Sequence, residues 1–142
     1  MKVLFDTNVL LDVLLDREPF ATHSAGVLSR AEKGEVAGYA CATTITTLFY
    51  LCRKQMGEDD ARQNIQTLLS ILAVAPVNQP VIEGAVQAGF NDFEDAVLSE
   101  SAVLVSADVI VTRNKKDFAK SSVAIYTPEE LLNVLDADAL SG

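Results

Sequence analysis

Short apolar segments alternate along this chain with segments in which apolar residues recur at helical spacing. Five of the short apolar segments are predicted β-strands, because they are short and several are rich in β-branched or aromatic residues. They are residues 2–5, 36–42, 71–77, 108–112 and 123–126. Parallel strands need crossover connections of about a dozen or more residues, which are usually helices. The alternation therefore predicts an α/β fold in which a largely parallel sheet lies between two layers of helices.

The predicted helices carry residues that are typical of helix ends. They cover residues 9–14, 21–33, 44–56, 59–69, 80–89, 91–106 and 127–135. Gly34 favours a C-terminal cap, and Thr127 with Glu130 three residues later is typical of a capping box. We expect residues 136–142 to form a frayed tail. No linker or repeat divides the chain, so we expect a single domain over residues 1–142.

The charge and composition narrow the functional classes. The 20 acidic and 11 basic residues give a net charge of −9, which argues against broad electrostatic capture of nucleic acid. Acids such as Asp12 and Asp136 are expected on solvated faces, in caps or in the tail. No apolar run approaches the ~18 residues of a membrane span, and Cys41 and Cys52 are too few for a disulfide scaffold. We therefore expect a cytoplasmic protein without a membrane partner.

Three acidic segments are predicted to meet at one edge of the sheet. Residues 6–8 follow the first strand, and residues 112–117 follow the fourth. Residues 92–95 open the helix that leads into the fourth strand. Because that helix runs antiparallel to its strand, its N-terminus lies at the same end of the sheet. Ligands of open parallel sheets bind beyond the carboxyl ends of the strands, so this edge is the candidate site.

Clustered carboxylates favour cation chemistry. They repel one another and need either protonation or a cation to stay together. Oxygen-rich sites suit Mg²⁺ or Mn²⁺, which bind through a few carboxylates plus a phosphate. Such a site can activate water and stabilise a displacement at phosphorus. The single histidine, His23, lies far from these segments in the sequence.

Each acidic segment also has a structural explanation. Asp6 is suited to cap the first helix, and Asp92 with Asp95 is suited to form a cap and its third-position partner. Asn114 and Asp117 are common turn residues. These explanations account for each acid separately but not for their meeting at one edge.

Three motifs resemble the PIN domain family: VLFDTNVLLD at residues 3–12, DFEDAV at 92–97 and ADVIVTRNKKDF at 107–118. The motifs occur in the order and at the spacing typical of the family, and the resemblance spans almost the whole chain. The resemblance implies a three-layer α/β/α fold with a five-stranded parallel sheet of order 3-2-1-4-5. It also implies a Mg²⁺- or Mn²⁺-dependent ribonuclease. Among small prokaryotic members, which include VapC-type toxins, it implies a homodimer that is blocked by an antitoxin peptide.

The resemblance also assigns roles to individual residues. Asp6, Asp95 and Asp117 would be catalytic and, together with Asn114, would form the metal site. The groups implied to support these ligands are Thr7, Asn8, Glu94 and Thr112. The candidates for contacting the RNA backbone are Arg113, Lys115 and Lys116.

One departure from the family pattern lies in the helix after the second strand. The family usually places a glutamate there, and the best-aligned residue in this chain is Thr47. Either the metal has fewer protein ligands, or Glu94 compensates, or catalysis is weak. The alternative to a ribonuclease is therefore a PIN-fold module that binds RNA or a partner without cleavage. An aspartyl phosphotransferase using Asp6 is disfavoured, because Asn8 stands where its second acid would be.

Overall fold

The computed structural model describes residues 1–141 and contains a five-stranded sheet in the order β3-β2-β1-β4-β5. All four strand pairs are parallel. The strands are β1 (Lys2–Phe5), β2 (Ala37–Cys41), β3 (Ala73–Ala75), β4 (Val109–Val111) and β5 (Ala124–Tyr126). The predicted strand order and parallel arrangement are confirmed.

Helices connect the strands as the alternation predicted. They are α1 (Thr7–Leu14), α2 (Ala21–Glu32), α3 (Ala42–Met56), α4 (Glu58–Ile71), α5 (Gln79–Gln87), α6 (Phe93–Leu104) and α7 (Pro128–Ser141), with a short 3₁₀ helix, η1 (Lys115–Phe118), after β4. The capping box before α7 forms, since the Thr127 N–H donates to Glu130 Oε1 and the Glu130 N–H donates to Thr127 Oγ1. Gly34 follows α2 with φ +78°, a conformation that favours glycine.

The prediction of a frayed tail over residues 136–142 is wrong for residues 136–141, which are helical. The last helix does not end near Leu135 but continues to Ser141, and Gly142 lies outside the described residues. The reason is long-range packing, because α7 lies against α2 and buries Leu131 in the core. Arg30 on α2 also forms an ion pair with Asp136, which holds this helix beyond its predicted end.

The core has two parts, one on each face of the sheet. On β1, Val3 and Phe5 belong to the cluster that includes residues of α2, α3 and α4, whereas Leu4 belongs to the cluster that includes residues of α5 and α6. Burial on both faces explains why β1 is apolar throughout instead of alternating. Two layers of helices therefore enclose a central sheet, which gives three layers in all. No helix within residues 1–141 is long and apolar enough to cross a membrane.

The central strands bring the predicted site together. β1 and β4 are neighbours, with Phe5 paired to Val111 at their carboxyl ends. The Asp6 N–H continues this pairing and donates to the Val111 carbonyl at 2.9 Å. The chain segments that follow β1 and β4 consequently leave the sheet side by side.

Candidate functional site

An acidic cleft of about 260 Å³ lies beyond the carboxyl ends of β1 and β4. Its carboxylates belong to Asp6, Asp92, Glu94, Asp95 and Asp117, and its other polar groups include Thr7, Asn8 and Thr47. The three acidic segments thus meet at one edge, as their positions in the predicted fold required. Asp92, which also lines the cleft, belongs to one of the three predicted acidic segments but was assigned no metal or catalytic role from the sequence.

Asp6 is the most buried of these acids, with 5% of its surface exposed. It occupies the N-cap position of α1, but its side chain makes no capping hydrogen bond. Instead, Thr112 Oγ1 donates to Asp6 Oδ2 at 2.8 Å. Burial raises the pKa of Asp6, and the hydrogen bond from Thr112 opposes that rise. The carboxylate is therefore held in one orientation in a poorly hydrated place.

Thr112 links Asp6 to the segment after β4. Its hydroxyl oxygen also accepts a hydrogen bond from the Asn114 N–H at 3.1 Å. Asn114 itself is exposed and lines a neighbouring surface depression instead of the acidic cleft. In this arrangement Asn114 contacts the site through its backbone, and its side chain does not join the carboxylates.

Asp95 lies in the first turn of α6, where Asp92 caps the helix by accepting from the Asp95 N–H at 3.0 Å. The capping explanation therefore applies to Asp92. The pKa of Asp95 is raised to about 7, first by burial and then by the negative charges of Asp92, Asp6, Asp117 and Glu94. The acids are close enough to oppose one another's ionisation, which is the condition that a bound cation relieves.

Asp117 reaches the cleft from η1. The Asp117 N–H donates to the Asn114 carbonyl at 3.1 Å and closes the turn. The next residue, Phe118, is buried and packs edge-to-face against Phe90, with ring centroids 6.3 Å apart. This apolar anchor fixes the short helix that carries Asp117.

The α3 side of the cleft is hydroxylic instead of acidic. The Thr7 and Thr44 hydroxyls are hydrogen-bonded at 2.8 Å, and Thr47, one turn along α3, lines the cleft. Thr47 thus occupies the wall in which the family glutamate was expected. Thr44 was missed from the sequence, although its three-residue spacing from Thr47 places both on one helix face.

The donor set suits a hard divalent cation. Within residues 1–141, no three His, Cys, Asp or Glu side chains already form a metal cage. The acidic cleft nevertheless offers oxygen donors only, from carboxylates that repel one another. Mg²⁺ and Mn²⁺ bind through a few carboxylates and keep several waters, so a partly hydrated cation fits this cleft better than a fully enclosed one.

The position of Asp12 contradicts the prediction made from the sequence. It was expected on a solvated face, but it is completely buried. Arg17 Nε lies 2.9 Å from Asp12 Oδ1, and Arg113 Nε lies 2.9 Å from Asp12 Oδ2. The Arg113 guanidinium also lies over the Phe20 ring, 4.2 Å from its centroid. This ion triad, of which only the carboxylate is completely buried, joins α1 to the segment that leads into η1.

The sequence matches the family model described as PIN domain over residues 2–116. That match covers all three acidic segments apart from Asp117. A comparison with curated proteins finds no match.

Solved structures share the fold at low sequence identity. A chain of VapBC2 from Rickettsia felis is 14% identical with a TM-score of 0.70, over 89% of this chain and 98% of that one. A chain of a toxin–antitoxin complex from Klebsiella pneumoniae is 24% identical with a TM-score of 0.68, over 89% and 97%. VapC20 from Mycobacterium tuberculosis, described as a sarcin-ricin loop cleaving toxin, is 10% identical with a TM-score of 0.62, over 76% and 86%. The matched family model, whose span includes β1 to β4, shows that this chain belongs to the PIN domain family.

Proposed function

We propose that this PIN domain is a metal-dependent endoribonuclease. The observation that carries the proposal is the acidic cleft in which Asp6, Asp95 and Asp117 meet and in which burial, together with mutual repulsion, raises the pKa of Asp95. Carboxylates that are held together although burial and repulsion oppose their ionisation favour a cation-binding function over a purely structural one. The domain would extend over residues 1–142.

Asp6, Asp95 and Asp117 would hold Mg²⁺ or Mn²⁺, with Glu94 as a further carboxylate at the rim. When bound, the cation supplies positive charge that activates water and stabilises charge on the phosphate. Thr112 would orient Asp6 and favour its ionised form, because its hydroxyl donates to the carboxylate and opposes the rise in pKa that burial causes. Asn114 would support the same arrangement by donating its N–H to Thr112.

The structural neighbours support the biological setting of this proposal. One is a chain of a toxin–antitoxin complex and another is described as a toxin that cleaves the sarcin-ricin loop. By analogy, this chain would act on RNA in the cytoplasm, form a homodimer and be blocked by an antitoxin protein. The proposal of these partners rests on family likeness, whereas the proposal of a cation site rests on the acidic cleft.

A second candidate function is a PIN-fold module that binds RNA or a partner without cleaving. The observation that favours it is Thr47, which lines the acidic cleft where a carboxylate would strengthen cation binding. A module of this kind would bind RNA with no turnover in the presence of Mn²⁺.

Cleavage of a 5′-labelled single-stranded RNA tests the two candidates. With Mn²⁺, we expect cleavage by the wild type and by Asp60→Asn, which changes an exposed acid on α4. Asp6→Asn should cleave the RNA about 100-fold more slowly or worse. Substitution of a residue that only hydrogen-bonds to a metal ligand already lowers metal affinity or activity by about 10–100-fold. EDTA should abolish cleavage. Equal rates for the wild type and Asp6→Asn would contradict the assignment, and binding without cleavage would favour the module.

Thr47→Glu should restore a carboxylate to the wall of the acidic cleft. We expect the affinity for Mn²⁺ to rise roughly tenfold, because ligand charge tunes divalent affinity. Thr46→Glu is the matched control, since Thr46 is exposed and lines a separate groove between α3 and α4. Calorimetric titration measures both affinities. Equal affinities of the two variants would show that Thr47 is not the missing ligand position.

A further inference from the structure

The four cationic side chains after β4 are not equivalent. Arg113 forms an ion pair with the buried Asp12 and covers Phe20. Lys115 lies with its Nζ 3.2 Å from Glu130 Oε1 on α7. The charged groups of Arg113 and Lys115 are therefore already paired with carboxylates of the protein. This leaves Lys116 and Lys120 as the cations of this segment best placed to meet a ligand.

Lys116 and Lys120 line a second cleft of about 260 Å³, here called the basic cleft after these two lysines, although three aspartates also line it. Within residues 1–141, the Lys116 ammonium group makes no hydrogen bond or ion pair. Lys120 Nζ donates to the Gly89 carbonyl at 2.6 Å, which positions its head and leaves two further donors. The two lysines thus present unused N–H groups at one site.

The basic cleft and the acidic cleft adjoin. They share the side chains of Asp92, Asp95 and Asp117 as lining residues. A phosphate chain that reached the carboxylates through the basic cleft would meet positive charge immediately beside them. A chain with a net charge of −9 needs such a local source of attraction for a polyanion.

An aromatic side chain completes the basic cleft. Phe90 lines it and is only partly buried. Its ring is held edge-to-face by Phe118, at 78° between the planes. A fixed and partly exposed ring beside two ammonium groups is the combination that binds unpaired nucleotides, with the base stacked and the phosphates neutralised. Base-paired RNA does not offer a base face to such a ring.

We propose that single-stranded RNA runs through the basic cleft to the acidic cleft, with Lys116 and Lys120 on two phosphates at one side of the cleaved bond and a base on Phe90. Arg113 and Lys115 lie outside this path. The inference rests on the proposed function and adds which cations contact the substrate.

Fluorescence anisotropy of a labelled single-stranded RNA tests the path, in the Asp6→Asn background so that the RNA stays intact. Lys116→Gln with Lys120→Gln should weaken binding at least about tenfold and reduce the slope of log affinity against log salt by about 1.4, at about 0.7 per phosphate. Lys115→Gln removes one positive charge from the same segment and should change affinity less than about threefold. Phe90→Leu should weaken binding with no change in the salt slope.

The outcomes separate the path from the proposed function. If Lys115→Gln weakens binding as much as the double variant at Lys116 and Lys120, or the double variant binds like its parent, the path is wrong. Wild-type cleavage of the same RNA would leave the ribonuclease assignment standing in either case. If the protein neither binds nor cleaves RNA, both the path and the assignment are wrong.

Discussion

Replacing Asp12 by alanine is expected to lower the free energy of unfolding by about 2–4 kcal/mol. The carboxylate is completely buried and pairs with Arg17 and Arg113, and its removal leaves two neighbouring guanidinium groups without this counter-charge. Breaking a buried pair typically costs about 3–5 kcal/mol. The cost is expected to be lower here because 39% and 27% of the arginine side chains remain exposed to water.

Urea denaturation measures this effect. Asp60→Ala, at an exposed position on α4, is the control and should change the free energy of unfolding by less than about 1 kcal/mol. Arg113→Ala tests the coupling, because it leaves Asp12 paired with Arg17. The double variant Asp12→Ala with Arg113→Ala should lose less stability than the sum of the single variants. Equal effects of Asp12→Ala and Asp60→Ala would contradict the role of the ion triad.

Replacing Asp95 by asparagine is expected to stabilise the metal-free protein at pH 8. The pKa of Asp95 rises from 3.8 to about 7 in the folded state, so ionisation is harder there than in the unfolded chain. The stability that protonation of Asp95 supplies is fully present below about pH 3.8 and is lost as the pH rises to about 7. Above pH 7 the ionised Asp95 is a destabilising group that asparagine removes.

The expected gain in the free energy of unfolding at pH 8 is about 1–3 kcal/mol. This is less than the free energy equivalent to the full pKa shift, because water screens the charge of a half-buried side chain. The gain should shrink towards zero as the pH falls below about 4. Denaturation at pH 4 and pH 8 without metal measures the difference, with Asp60→Asn as the control. A gain that is the same at both pH values would show that charge repulsion is not its cause.

The sequence predicts the sheet and the acidic edge well because both depend on local patterns. Apolar runs mark the strands, and the rule that parallel strands end at one edge brings Asp6 and Asp117 together. The N-terminus of α6 adds Asp95 by the same reasoning. These inferences need only the order of the elements along the chain, together with the strand order that the motifs imply.

The remaining features depend on partners that are distant in the sequence. Helical spacing placed Asp12 on the polar side of α1, whereas its partner Arg113 follows the fourth strand. The polar residues after Leu135 are typical of a tail, yet Arg30 on α2 pairs with Asp136 and the helix continues. Neither pairing can be deduced from a local pattern, because each joins segments that only the finished fold brings together.

The affinity of the acidic cleft for Mn²⁺ is the most direct test of the central claim. Calorimetric titration should find Mn²⁺ binding in the wild type and in Asp60→Asn, with affinity about tenfold or more lower in Asp95→Asn. The substitution expected to stabilise the metal-free protein at pH 8 would then also remove its cation site, as expected when repelling carboxylates are kept for function. Equal Mn²⁺ affinity in the wild type and Asp95→Asn would contradict the claim that these carboxylates form the metal site.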